Sequence, residues 1–216
     1  MKKYLLLVFL LLIPIKAYAL IEVDITRGNL NPLPIAVSPL SIDENSKKNF
    51  KKILKKNNIG SEISKVVENN LRTSGLFNPL NKDAFLQSPD IANLKPRFED
   101  WNLIKAQALI TGKVNFIDGK LRVEFRLWDV LAGKEMLALA FTTVPNNWRR
   151  VGHIITDKVY QRLTGEQGYF DTRIIYVSEE GPKTNRVKKL AIMDQDGANN
   201  KFLTLGNELV LTPRFD

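Results

Sequence analysis

The sequence contains no cysteine and a single histidine, His153. The first absence excludes a disulfide framework, Cys-ligated zinc, thiol catalysis and Cys-ligated iron–sulfur clusters. The second excludes a multi-histidine metal site within one chain, and any Ser-His-Asp triad would have to use that one ring. No G-x-S-x-G elbow and no Gly-rich phosphate loop occurs in the 216 residues. No apolar run reaches the roughly 20 residues needed to span a bilayer. What is there is 44% hydrophobic and 25% charged residues, as in a folded globular protein. The length suffices for one domain and part of another.

The amino terminus reads as an export signal. Lys2 and Lys3 precede Tyr4 to Ile15, which is apolar or aromatic except at Pro14. Ala17-Tyr18-Ala19 then supplies the small-x-small pattern that signal peptidase reads. Residues 1–19 are predicted to be removed after Ala19, because the run is too short and too interrupted for a membrane anchor. No Cys follows the cleavage site, which excludes lipidation there. Losing Lys2, Lys3 and Lys16 leaves 29 basic and 23 acidic residues, a formal charge of +6 in place of +9. Much of that excess lies in Lys47, Lys48, Lys51, Lys52, Lys55 and Lys56. Their spacing places them on adjoining strips of a helix, with Phe50, Ile53 and Leu54 elsewhere around it. Such a run suits anionic lipid or nucleic acid. A solvated helix surface is the commoner outcome and is the reading favoured here, and export argues against nucleic acid.

The middle of the chain alternates helical and strand patterns. Leu33 to Leu40 carries a short apolar run bounded by Pro34 and Pro39, which predicts a buried strand. Ile59, Ile63, Val66, Val67 and Leu71 recur at helical spacing, with Gly60-Ser61 to start the helix and Gly75 to end it. Residues 76–100, with Pro79, Pro89 and Pro96 among Asn and Asp, predict loop with short turns of helix. A meander follows. Ala108, Ile110, Gly112, Val114 and Phe116 alternate with polar residues, and Asp118-Gly119 is a strong hairpin turn. Leu121, Val123, Phe125 and Leu127 form one face of the next strand, and Glu135 to Val144 forms a third. One-sided burial of this kind predicts a sheet with antiparallel strands covered by helices on one face. Asn147 can cap a second main helix with inner residues Trp148, Val151, Ile155, Val159 and Leu163, ended by Gly165. Arg149, Arg150, Asp157, Lys158 and Arg162 fall largely on its outer side. His153 sits in its first half. A lone helix histidine is usually a packing or hydrogen-bonding residue, and no activating pair for catalysis is visible.

After Gly168 the pattern changes to short strands at Arg173–Ser178, Lys189–Asp194 and Lys201–Leu205, with a tight turn at Asp196-Gly197. From Asp171 to Asp216 there are 46 residues, about one propeller blade. A propeller needs about four to eight blades, so the sequence reads as a truncated chain. The predicted fold is an α/β (α+β) domain over residues 20–165, a mixed sheet with two main helices. A linker and an incomplete first blade over 166–216 follow it.

The run from His153 through Asp157, Tyr160, Leu163, Gly165, Gly168-Tyr169-Phe170 and Thr172 to Val177 resembles the domain junction of the TolB family. So do Asn31 to Val37, Leu71 to Phe77, Ala108 to Gly112, Val123 to Asp129, Leu190 to Gly197 and Leu209 to Phe215, in order and spacing. The resemblance implies a non-enzymatic periplasmic adaptor of the Tol–Pal system, with no cofactor, no metal and no membrane span once the signal is removed. In that family an N-terminal α/β domain precedes a six-bladed propeller. The propeller binds Pal, an outer-membrane lipoprotein, and the extreme N-terminus of the mature chain binds the C-terminal domain of TolA. The system supports outer-membrane constriction at division and envelope integrity, and colicins and phage exploit it for import. Blades two to six are absent from these residues, so the resemblance implies that TolA binding is the most this chain retains.

The family's TolA-binding segment maps to Leu20, Ile21, Glu22, Val23, Asp24, Ile25, Thr26 and Arg27. Ile21, Val23 and Ile25 alternate with polar residues, so the segment can add to a partner's sheet edge through main-chain hydrogen bonds. The same pattern also suits an ordinary first strand of the domain. A propeller-linked exported peptidase, its catalytic domain beyond Asp216, and a periplasmic ligand binder are the alternative functions.

Overall fold

Alternating apolar residues build the sheet at the centre of the molecule. The computed structural model describes residues 21, 23, 31–206, 210 and 212–215. The predicted signal, residues 1–19, lies outside them. Strand β1 (Leu33–Val37) is flanked in parallel by β3 (Phe77–Pro79) and β4 (Ala108–Ile117), with Leu33 opposite Phe77 and Ile35 opposite Ala108. The short β2 (Ser41–Ile42) also pairs in parallel with β4. Strands β4, β5 (Lys120–Asp129) and β6 (Lys134–Thr143) form the antiparallel meander, giving the order β3-β1-β4-β5-β6. The hairpin at Asp118-Gly119 has positive φ at both residues, 50° and 75°, the conformation that matches strand twist in a two-residue turn.

Two long helices cover one face. Helix α1 (Glu44–Leu54) leads into α2 (Ile59–Thr73), and α5 (Trp148–Thr164) returns after the meander. Ile63, Val67 and Leu71 of α2 and Ile155, Val159 and Leu163 of α5 meet Ile35, Val37, Ile110, Val123 and Phe125 of the sheet in one core. The two helices approach closely because residue 152 is glycine: a Cβ there would lie 2.9 Å from the side chain of Val66. Helix α1 is fixed by polar contacts as well as by Phe50. The Asp43 side chain accepts from the Ser46 amide at 2.8 Å, and the Ser46 hydroxyl accepts from the Phe116 amide at 2.7 Å. The Ser46 hydroxyl, which donates to the other Asp43 oxygen at 2.6 Å, and the Ser46 amide together hold the Asp43 carboxyl below its ordinary pKa.

Four local expectations are corrected. Helix α2 begins at Ile59 and not at Gly60-Ser61, because the Asn58 side chain caps it by accepting from the Ser61 amide at 3.1 Å. Asn147 stands at the start of α5, but its side chain makes no capping bond and donates instead to Thr143 Oγ1 at 3.0 Å. The 76–100 segment includes strand β3 besides the short helices α3 (Pro89–Leu94) and α4 (Phe98–Leu103). The sheet is also covered on its second face near β1 and β4. There Trp101, Ala92 and Ala106 pack on Ala36 and Leu109, with Phe85 edge-on to Trp101 at 5.0 Å. A large indole from the proline-rich segment fills the space that one-sided burial would have left to solvent.

Beyond α5 a separate antiparallel sheet runs β7 (Arg173–Glu180), β8 (Val187–Asp194) and β9 (Lys201–Phe202). Its third strand is shorter than the expected Lys201–Leu205. Ile174, Val187, Phe202 and Leu203 are exposed on it, as on a propeller blade seen without its neighbour. Among the described residues no helix is long and apolar enough to cross a membrane.

Candidate functional site

Helix α5 carries three polar fixtures along its length, and together they join the two sheets. At its middle, the Asp157 carboxylate accepts from the amides of Phe170 and Asp171 at 2.7 and 3.1 Å. The connecting segment must pass very close for this. A Cβ on Gly168 would lie 2.4 Å from Asp157 Cα, so no other residue fits there without movement. Burial pushes the Asp157 carboxyl above its ordinary pKa, and the two amide donors offset part of that cost.

Toward its N-terminus, α5 faces the turn that follows β8. Arg150 Nε donates to both carboxylate oxygens of Asp171, at 3.0 and 3.1 Å. Arg149 pairs with Asp196 and lies 3.8 Å from Asp194 through Nε. One turn on, His153 is 2% exposed. Its Nδ1 accepts from Asn70 Nδ2 at 2.9 Å, which leaves the ring proton on Nε2. Nε2 faces one oxygen each of Asp194 and Asp196 at 3.9 Å, beyond hydrogen-bond reach, and has no partner. Burial, outweighing the neighbouring carboxylates, pushes the imidazole pKa down, so the ring is neutral near pH 7.

Asn70 of α2 is the hub of this joint. It is fully buried. Besides His153 it donates to Thr156 Oγ1 at 3.2 Å and accepts from Gln195 Nε2 at 3.1 Å. One amide thus ties α2, α5 and the blade turn. Arg150 is exposed on the outer side of α5 as expected, whereas Arg149 and Asp157 on the same side are partly covered by the blade turn and the connecting segment. A cleft of about 420 Å³ opens beside it, lined by Arg149, His153, Asp171, Arg173, Asp194 and Asn199 among others.

His153 Nε2, Asp194 and Asp196 offer three atoms within 4.8 Å of one another, a spacing a divalent cation can bridge. The chemistry of the set argues otherwise. The Arg149 guanidinium already neutralises Asp196, and the proton sits on the nitrogen that a metal would need bare. Among the described residues no hydroxyl hydrogen-bonds to His153, so the ring has no nucleophile to activate. The cluster joins α5 to the blade turn as a charged latch, and the buried His153 is hydrogen-bonded within it.

Of the mapped amino-terminal segment, Ile21 and Val23 are described. Both are half-buried against the main core. The Val23 amide donates to the Leu163 carbonyl at 2.8 Å. Leu20, Glu22, Asp24, Ile25, Thr26 and Arg27 lie outside the described residues. The amino end therefore meets α5 at its C-terminal turn, while the latch grips the same helix at the other end. Sequence reasoning missed Asn70, Gln195 and the acidic turn as a unit, although the junction and Leu190 to Gly197 motifs contain most of its members.

Residues 21–136 match the family described as the TolB amino-terminal domain, over half of the chain. The chain belongs to the TolB family. Residues 160–216 match the TolB beta propeller domain, so the second sheet is the start of the TolB-type propeller. The Tol-Pal system protein TolB of Pelagibacter ubique (strain HTCC1062) is 84% identical over 213 residues, 99% of this chain and 48% of the relative. The chain thus spans about half the length of that curated relative. The crystal structure of TolB from Acinetobacter baumannii aligns with a TM-score of 0.62 at 24% identity, over 85% of this chain and 41% of that one. That likeness establishes the TolB fold across the joint: α/β domain, connecting segment and first blade. In this TolB-family chain the latch lies where the two matched regions meet.

Proposed function

We propose that this chain is the amino-terminal part of a periplasmic adaptor that links TolA to Pal and does no chemistry of its own. In this reading residues 1–19 direct export, 20–165 form the adaptor domain and 166–216 begin the propeller. Leu20 to Arg27 are the TolA-binding segment, and Pal is engaged through the propeller. The role served is outer-membrane invagination at division and envelope integrity. The observation that carries it is the way the amino end is held. Val23 gives one amide hydrogen to a helix-end carbonyl, and two apolar side chains rest on the core without entering the sheet. An end whose described residues are held by one main-chain bond and two half-buried side chains suits exchange of its own docking place for a partner's sheet edge. Membership of the TolB family supports the choice of TolA as that partner.

Titration calorimetry of the chain from residue 20 onward with the purified TolA C-terminal domain tests the reading. Binding is expected to be modest in affinity and lost on deletion of residues 20–27. Binding that survives the deletion refutes the mapped segment, and no binding by either form refutes the TolA assignment.

A further inference from the structure

The structure resolves the lysine-rich stretch into a pattern that the sequence left open. Lys48, Lys51, Lys52 and Lys55 follow i, i+3, i+4, i+7, so they share one face of α1. Phe50 and Ser46, both buried, lie on the opposite side and fix that face outward. All four lysines are exposed. Their neighbours are already engaged. Lys47 pairs with Glu44 at 3.1 Å, and Lys56 pairs with Glu62 at 3.6 Å while covering the Trp148 ring at 4.9 Å. Among the described residues no acidic side chain lies within ion-pair distance of any of the four.

This arrangement disfavours the free helix. Four pairs of like charges stand three or four residues apart, and such pairs are destabilising. The helix C-terminus compensates in part, since cations are favourable there. Lys55 goes further. It is the left-handed cap of α1, with φ 55°, a position that glycine or asparagine fills with less strain. The chain accepts both costs and keeps the charge. A shallow groove of about 380 Å³, lined by Glu44, Lys47, Lys48, Lys51 and Asn57, borders the stripe.

We infer that the exposed face of α1 is a docking surface for an anionic phospholipid bilayer. The stripe is convex and linear, suited to a flat array of phosphates. It carries no aromatic side chain on which a base could stack, as single-stranded nucleic acid would require. Its one exposed apolar neighbour, Ile53, points about 90° or more away from the lysines. Attachment is therefore electrostatic, without insertion, and reversible by salt.

Vesicle co-sedimentation at low salt tests this. Phosphatidylcholine vesicles with and without phosphatidylglycerol are compared for the chain and two variants. One replaces Lys48, Lys51, Lys52 and Lys55 with Gln. The other makes the same change at the exposed Lys95, Lys120, Lys158 and Lys183, matching the loss of charge. The chain and the second variant are expected to bind the anionic vesicles. The first variant is expected to lose binding by about six hundredfold, since each of the four lysines held at an anionic surface is worth about fivefold. Binding by the chain is expected to vanish near 1 M salt, where the screening length is about 3 Å. Equal binding by the two variants, pelleting with phosphatidylcholine alone, or a tighter grip on single-stranded DNA than on the vesicles overturns the proposal. Circular dichroism confirms that the first variant is folded, and relief of like-charge repulsion predicts that it melts no lower than the parent.

Discussion

Replacing Asn70 with Ala tests the joint at its hub. Three side-chain hydrogen bonds disappear: to His153 at 2.9 Å, to Thr156 at 3.2 Å and from Gln195 at 3.1 Å. A neutral hydrogen bond contributes about 1 kcal/mol net, and a buried partner left bare costs about 1–3 kcal/mol. Thr156 keeps its bond to the Gly152 carbonyl, so the bare partners are the imidazole and the Gln195 amide. The expected loss is about 3–4 kcal/mol, read from urea denaturation. It corresponds to a fall of roughly 10 °C in melting temperature for a chain of this size. Gln195→Ala alone should cost about 1 kcal/mol. In the Asn70→Ala background it should cost almost nothing, because its partner is already gone. If Asn70→Ala costs less than about 0.5 kcal/mol, or if the two changes add, Asn70 does not couple the helices to the blade and the latch described above is wrong.

Three further outcomes are expected. His153 has its folded pKa below the ordinary 6.5, so the unfolded chain takes up the proton first. Its contribution to stability is full above about pH 6.5 and is lost as the pH falls through the lowered folded value, and His153→Gln should remove that part of the pH dependence in urea titrations. Gly168→Ala should cost about 1–3 kcal/mol by overpacking, because the new Cβ meets the Asp157 backbone; an unchanged melting curve would show that the connecting segment is loose. Asp43→Ala should cost about 1 kcal/mol through loss of the cap. Because the folded Asp43 pKa is lowered, the carboxylate's contribution is present above about pH 4 and disappears as the pH falls further, so parent and variant should converge in acid.

The local pattern was enough to place the meander and both long helices. Strict alternation from Leu121 to Leu127 and the Asp118-Gly119 turn are short-range signals, and the register Ile110 opposite Leu127 follows from them. The identity of α5 as a helix was equally plain from Val151, Ile155, Val159 and Leu163. What the residues did not announce depends on distance along the chain. Strand β3 has three residues, one of them proline, and exists because Leu33 and Ile35 lie beside it in parallel. Trp101 stands just past the 76–100 segment that reads as loop, where the pattern assigns no element, yet it closes the second face of the sheet. The joint is the extreme case. Asn70 and Gln195 are 125 residues apart, and nothing in the neighbourhood of either one names the other. The outward face of α5 could not be told from a solvated one, because polar residues suit both water and a polar partner.

The carbonyl that receives Val23 is an unusual anchor. Leu163 stands in the last turn of α5, where carbonyls have no intrahelical donor. Were Val23 to lift away, water could take up that vacancy at once, and no hydrogen bond within α5 would be broken. The helix would be as complete afterwards as before. Of the contacts made by the described residues, parting would give up that bond and rewet the half-buried Ile21 and Val23, worth of order 2 kcal/mol.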